Sequence, residues 1–194
     1  MRKEYFENAI WHRKKINGDP ISEVPYIFSQ FSHDELRIFI FRMLDAAYRY
    51  DIWNDGPVSR FIQYMETLEY GIDIAHKLYQ NLLHKDRPVP EAIKPAKDRP
   101  VTRAAIFLYK PIPRMMTISE LKDPTRFIKQ FFRFAELKAW KRILKDRTIL
   151  ALDVTDARSL EYPVDGLVLY SYLSKMVDLL YVIKMQLGET RPLV

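Results

Sequence analysis

Cysteine is absent from this chain. That one absence excludes thiol nucleophiles, disulfides, thiolate zinc sites and iron–sulfur clusters. Glycine is scarce: Gly18, Gly56, Gly71, Gly166 and Gly188 are the full set, and none are neighbours. A phosphate-cradling loop needs clustered glycines so that backbone N–H groups can approach the phosphate, so the P-loop and the dinucleotide fingerprint are excluded. The sequence also lacks HExxH and GxSxG. An uncharged hydrophobic run of membrane-spanning length is missing as well. The most apolar stretch, GLVLYSYLSKMVDLLYVIKM, contains Lys175, Asp178 and Lys184, each costly at a bilayer centre, so no membrane partner is expected. The N-terminus, MRKEYFENAIWHRKK, has charges where a signal peptide needs an apolar core. Together with the missing cysteines, this places the expected location in the cytoplasm.

What is present is a globular balance, 48% hydrophobic and 29% charged over 194 residues. A chain of this length buries about 70% of its unfolded surface, enough to dispense with a metal or disulfide staple. The expectation is a single all-α domain over residues 1–194. It is read as about five helices in a bundle, with a Pro-rich connector or arm at 85–117 and a minor two-stranded element.

Periodicity supplies the helices. Lys3–Ile16 is amphipathic and stops at NG. A loop with Pro20 and Pro25 follows. Ser32 and Glu35 then have capping-box spacing, and Phe31 with Leu36 has hydrophobic-staple spacing. Leu36, Ile40, Met43, Ala47 and Tyr50 carry that helix to about Trp53, before NDGP. Over Val58–His84, the residues Phe61, Met65, Leu68, Ile72, Ala75, Tyr79 and Leu82 step alternately by four and three. Such a heptad seam predicts near-antiparallel packing on another helix. The 85–117 connector holds six of the twelve prolines and repeats KDRPV at Lys85–Val89 and Lys97–Val101. Asp123 and Pro124 are an N-cap and first-turn pair. Thr148–Val154 is a candidate strand that would pair with Ala104–Lys110. A last helix runs over Asp165–Leu187, with Ser171, Ser174, Lys175 and Asp178 on one narrow polar face.

The histidines offer little chemistry. His33–Asp34 resembles the dyad of the helical HD phosphohydrolases, but it follows the capping Ser32. The simpler reading is a helix first turn, where Asp suits the macrodipole. No histidine follows an arginine at the spacing of HEPN-type ribonucleases. Glu66, Glu69, Asp73 and His76 share a helix face, yet a bridged metal site needs a matching motif on a second helix, and the predicted helices carry none. No catalytic residue, metal site or cofactor is assigned.

The most informative stretch is RFIKQFFRFAELKAWKRILKDR, Arg126–Arg147. Of 31 basic and 25 acidic residues in the chain, eight and two fall here, which leaves 23 of each sign elsewhere. The net charge of +6 is therefore local. On a helical wheel, Phe127, Ile128, Phe131, Phe132 and Phe134 oppose Arg126, Lys129 and Arg133. In the second half the apolar arc shifts to Leu137, Trp140, Ile143 and Leu144. Lys138, Lys141, Arg142 and Lys145 then form a cationic stripe at i, i+3, i+4, i+7. The segment must bend near Glu136 or cross between two sets of neighbours. The stripe, with Arg126, Lys129 and Arg133 beside it in the candidate set, could hold a phosphate backbone or an acidic surface.

The leading expectation is a non-enzymatic helical interaction or assembly protein, with a protein partner or a second copy of itself. A nucleic-acid-binding regulator using Lys138–Lys145 is the alternative. A metal-dependent helical hydrolase ranks third.

Overall fold

The computed structural model describes residues 16, 18–49, 52–84, 90, 93–94, 114–152 and 164–189. Among these residues there are seven α-helices and no strand. They are α1 Val24–Gln30, α2 His33–Arg49, α3 Val58–Leu83, α4 Ile118–Lys122, α5 Pro124–Phe134, α6 Leu137–Leu152 and α7 Gly166–Glu189. The all-α class holds; the helix count differs from the expected five. The predicted Lys3–Ile16 helix, apart from Ile16, lies outside the described residues, as do both KDRPV segments and Ala104–Lys110.

Where the sequence carries a cap, the helix begins at it. Ser32 and Glu35 close their box: the Glu35 N–H donates to Ser32 Oγ at 3.2 Å, and the Ser32 N–H donates to Glu35 Oε2 at 2.9 Å. The Glu35 carboxyl is held below its usual range, chiefly by that bond from the Ser32 backbone. Asp123 Oδ1 accepts from the Thr125 N–H at 3.2 Å and opens α5 ahead of Pro124. Asp165 Oδ1 accepts from the N–H groups of Leu167 (2.8 Å) and Val168 (3.1 Å) and opens α7. Two short helices depart from the sequence reading. Pro25 sits in the first turn of α1, where its missing N–H costs nothing, so the expected loop is helical over Val24–Gln30 and remains non-helical around Pro20. Thr117 and Glu120 form a second capping box that opens α4.

The Thr148–Val154 strand expectation is corrected over the described residues: Thr148–Leu152 is the last part of α6. Thr148 Oγ1 donates to the Leu144 carbonyl one turn back at 2.9 Å, which gives the β-branched residue a helical partner. Leu150 and Ala151 are buried, so the pull of the core outweighs the local β preference.

The buried apolar residues form one cluster with members from all seven helices. The α3 seam lies at its centre: Phe61, Met65, Leu68, Ile72 and Ala75 are buried, with Tyr79 and Leu82 packed at its edge. α7 packs on α1, α2 and α3, while α5 and α6 pack on α3, and α6 also on α2. A stretch of α7, 166–187, is long and apolar enough to cross a membrane by length and composition, and 61% of its most apolar 18-residue window is buried inside the protein. Two glycines permit close approach. A Cβ on Gly71 would meet Leu180 Cδ1 at 3.1 Å across the α3–α7 contact, and one on Gly166 would meet the Tyr48 ring at 2.7 Å.

Tyr48 is part of a clasp at the start of α7. Its hydroxyl donates to the Val164 carbonyl, which also accepts from Arg147 Nη2 at 3.2 Å. The Arg147 guanidinium lies over the Tyr48 ring, 4.7 Å from its centroid, and the residue is 1% exposed. One buried cation thus links α2, α6 and the entry to α7.

Candidate functional site

The basic segment is two helices. Ala135 is extended (φ −151°, ψ 140°) and ends α5, and α6 begins at Leu137. The break follows from the shift of the apolar arc: a straight helix could not bury both the Phe127 side and the Trp140 side. Trp140 seals the corner. Its indole N–H donates back to the Phe131 carbonyl at 3.1 Å, and its ring stacks on Phe131 at 4.2 Å.

The corner sorts the cations. On α5, Arg126, Lys129 and Arg133 are exposed, opposite buried Phe127, Ile128, Phe131 and Phe132, and Lys122 on α4 is exposed beside them. Arg126 Nε lies 3.3 Å from Asp123 on the surface. Among the described residues, no carboxylate pairs with Lys129 or Arg133. On α6, Lys138 and Arg142 are exposed and Lys145 is half-buried. Lys141 does not share their surface. It is 9% exposed, and its Nζ lies 2.7 Å from Asp73 on α3. The four-residue stripe is therefore interrupted at its second member, and the more continuous exposed cationic row is the outer face of α5.

Asp73 also bears on the acidic face of α3. Its carboxylate is engaged with Lys141. His76 packs against the Phe132 ring at 5.2 Å, and burial pushes its imidazole below the usual range despite the pull of Asp73.

The polar face of α7 turns inward, which its composition alone does not disclose. Asp178 is fully buried. It meets His33 Nε2 at 2.6 Å, accepts from the Met115 N–H at 2.8 Å, and has Arg37 Nε at 4.0 Å. One turn earlier, Lys175 donates to both oxygens of Glu120, at 2.8 and 3.1 Å. Burial alone would raise the Glu120 carboxyl. Hydrogen bonds from Lys175 and from the Thr117 box outweigh it, and the group ends below its ordinary value. This seam pins residues 115–120 onto α2 and α7. His33 accordingly serves as the partner of a buried aspartate, while Asp34 beside it is exposed. The signal for the seam was an aspartate inside an apolar helix, which requires a buried partner. Its partner lies 145 residues away, and spacing could not name it.

Among the hollows lined by described residues, two are the roomier. One, about 250 Å³, lies between α2 and the start of α3 over Phe39, Trp53 and Tyr64, with its rim closed by the Arg42–Asp55 and Arg60–Glu35 pairs. The other, about 340 Å³, lies between α5 and α7 and is lined by Phe127, Gln130, Leu167, Val168, Tyr172 and Lys175, together with Ser171. Among the described residues, no group of three or more His, Asp or Glu side chains is placed to hold a metal. No protein family, curated protein or solved structure matches the chain.

Proposed function

We propose that the protein is a non-enzymatic helical interaction protein that holds an anionic partner on the exposed basic surface of α5 and α6. The observation that carries this reading is the sorting of charge at the corner. Lys141 and Arg147 are used inside the protein, whereas Arg126, Lys129, Arg133, Lys138 and Arg142 are turned outward. A dense exposed group of one sign raises the local concentration of an oppositely charged partner and speeds its encounter.

Nucleic-acid regulation is the second reading, supported by the localised +6 charge. It is the weaker one because the aromatics of α5 pack inward or against Tyr172; they are not presented as free stacking faces. Binding of fluorescent heparin and of a labelled deoxythymidine oligonucleotide tests both, read across a salt titration of about 50 to 200 mM. Heparin binding that Lys129→Glu with Arg133→Glu reduces at least about tenfold supports an anion-holding surface. Absence of binding by either probe at low salt removes both readings.

A further inference from the structure

We infer that the α5–α7 hollow is the docking groove for an acidic amphipathic helix of a protein partner, an inference that rests on the anionic-partner reading above. The groove exists because α5 and α7 meet through rings. Tyr172 stacks on Phe134 at 4.4 Å and lies 6.5 Å from Phe127, so the contact is made by side chains that bridge between two helices. The hollow between them is about 340 Å³, at the small end of the range of about 300–1,000 Å³ usual for small-molecule sites. It is apolar at its mouth. Leu167 is 79% exposed and Val168 is 37% exposed. Leu167 to Lys175 spans about 12 Å of helix, two turns, which a partner helix covers with anchors at i, i+4 and i+7.

Charge selects the occupant. At about 100° per residue, Gln130 on the groove wall is flanked on α5 by Arg126 and Arg133, with Lys129 one row further out. Lys175 stands on the opposite wall, where Glu120 holds it. The α5 lip thus carries Arg126, which is paired with Asp123, and Arg133, which has no carboxylate partner among the described residues. An apolar trough with one cationic lip fits a helix whose apolar stripe is bordered by Asp and Glu. A nucleic acid would use the lip and leave Leu167 and Val168 exposed.

The test uses the full chain and a fluorescein-labelled synthetic peptide of about 18 residues, roughly five turns. The peptide is built from Glu, Ala and Leu, with the leucines on one helical face, and binding is read by anisotropy. A scrambled peptide of the same composition, heparin and a deoxythymidine oligonucleotide are the comparison probes. The amphipathic peptide is expected to bind. Leu167→Asp, and separately Arg126→Glu with Arg133→Glu, are each expected to weaken it at least about tenfold. Because Leu167 is so exposed, its substitution leaves the core untouched, and circular dichroism verifies the fold of every variant. Leu167→Ser, with no added charge, separates lost apolar contact from repulsion and is also expected to weaken binding. Equal binding of the scrambled peptide, or unchanged binding by both Leu167 variants, overturns the groove. If heparin still responds to the α5 reversals in that case, the anionic-surface reading stands. An oligonucleotide that binds more tightly than the peptide, insensitive to Leu167, makes nucleic acid the partner and overturns the inference. No binding by any probe removes both proposals together.

Discussion

On α5 the three basic residues all face solvent, while on α6 Lys141 and Arg147 are withdrawn into the protein and Lys138 and Arg142 remain outside. The two helices come from one continuous stretch of similar composition. What separates them is the surroundings. α5 buries Phe127, Ile128, Phe131 and Phe132 along one side, so its basic residues have the solvent side to occupy. α6 lies between α2 and α3, and its long cationic side chains can reach acceptors on both neighbours: Asp73 on one side, the Val164 carbonyl and the Tyr48 ring on the other. Composition therefore reports charge density, and packing decides which charges hold the fold and which are left for a partner.

Substitutions can break this comparison. The largest effect is expected at the most buried cation. Arg147→Ala removes the clasp on Val164 and Tyr48 and should destabilise the protein by about 3–5 kcal/mol in urea unfolding. A loss below about 1 kcal/mol would show that the inward cations are not structural. Lys141→Ala leaves Asp73 without its partner. Because the pair is partly solvated, the expected loss is smaller, about 1–2 kcal/mol.

Acid titration probes the inward charges as a group. Glu120 is depressed below 4.5, so its contribution is fully present above that ordinary value and is lost as pH falls through the lower folded-state value. Stability should therefore drop on acidification below about 4.5, and Glu120→Gln should flatten that limb of a pH–stability profile. A profile that Glu120→Gln leaves unaltered would detach the seam from acid sensitivity. The smallest stability effect is expected outside: Lys129→Glu with Arg133→Glu should change unfolding free energy by less than about 0.5 kcal/mol per site. These same substitutions carry the largest expected effect on heparin binding. A large stability change there would place the α5 cations in the folding machinery and collapse the distinction.

Much of this arrangement could be read from residue order. The α3 seam, the Ser32–Glu35 box, the Asp123–Pro124 start and the bend near Glu136 are local patterns, and each is realised. The α1 and α4 helices also carried legible signals, in Pro25 at a first turn and in Thr117 three residues before Glu120. Proline density nearby obscured them. Thr148 and Ile149 suggested a strand because β-branched residues favour it, and only the burial of Leu150 and Ala151 against other helices decides otherwise. Lys141 was beyond sequence reasoning for another reason: Asp73 lies 68 residues away, and a wheel drawn on one helix cannot show the carboxylate on the next.

The Trp140 bond across the corner has a consequence in time. It joins groups nine residues apart, whereas the His33–Asp178 bond closes a span of 145. Short closures cost less chain entropy and are reached sooner. The α5–α6 elbow should therefore set early, as a local nucleus, and the α2–α7 seam should close late over a bundle already taking shape. In stopped-flow refolding, conservative substitution of Trp140 should then slow folding, and substitution of His33 should chiefly speed unfolding. The reverse pattern would place the nucleus at the seam. On this sequence of events, the corner that separates inward from outward cations is laid down before the core that needs the inward ones is complete.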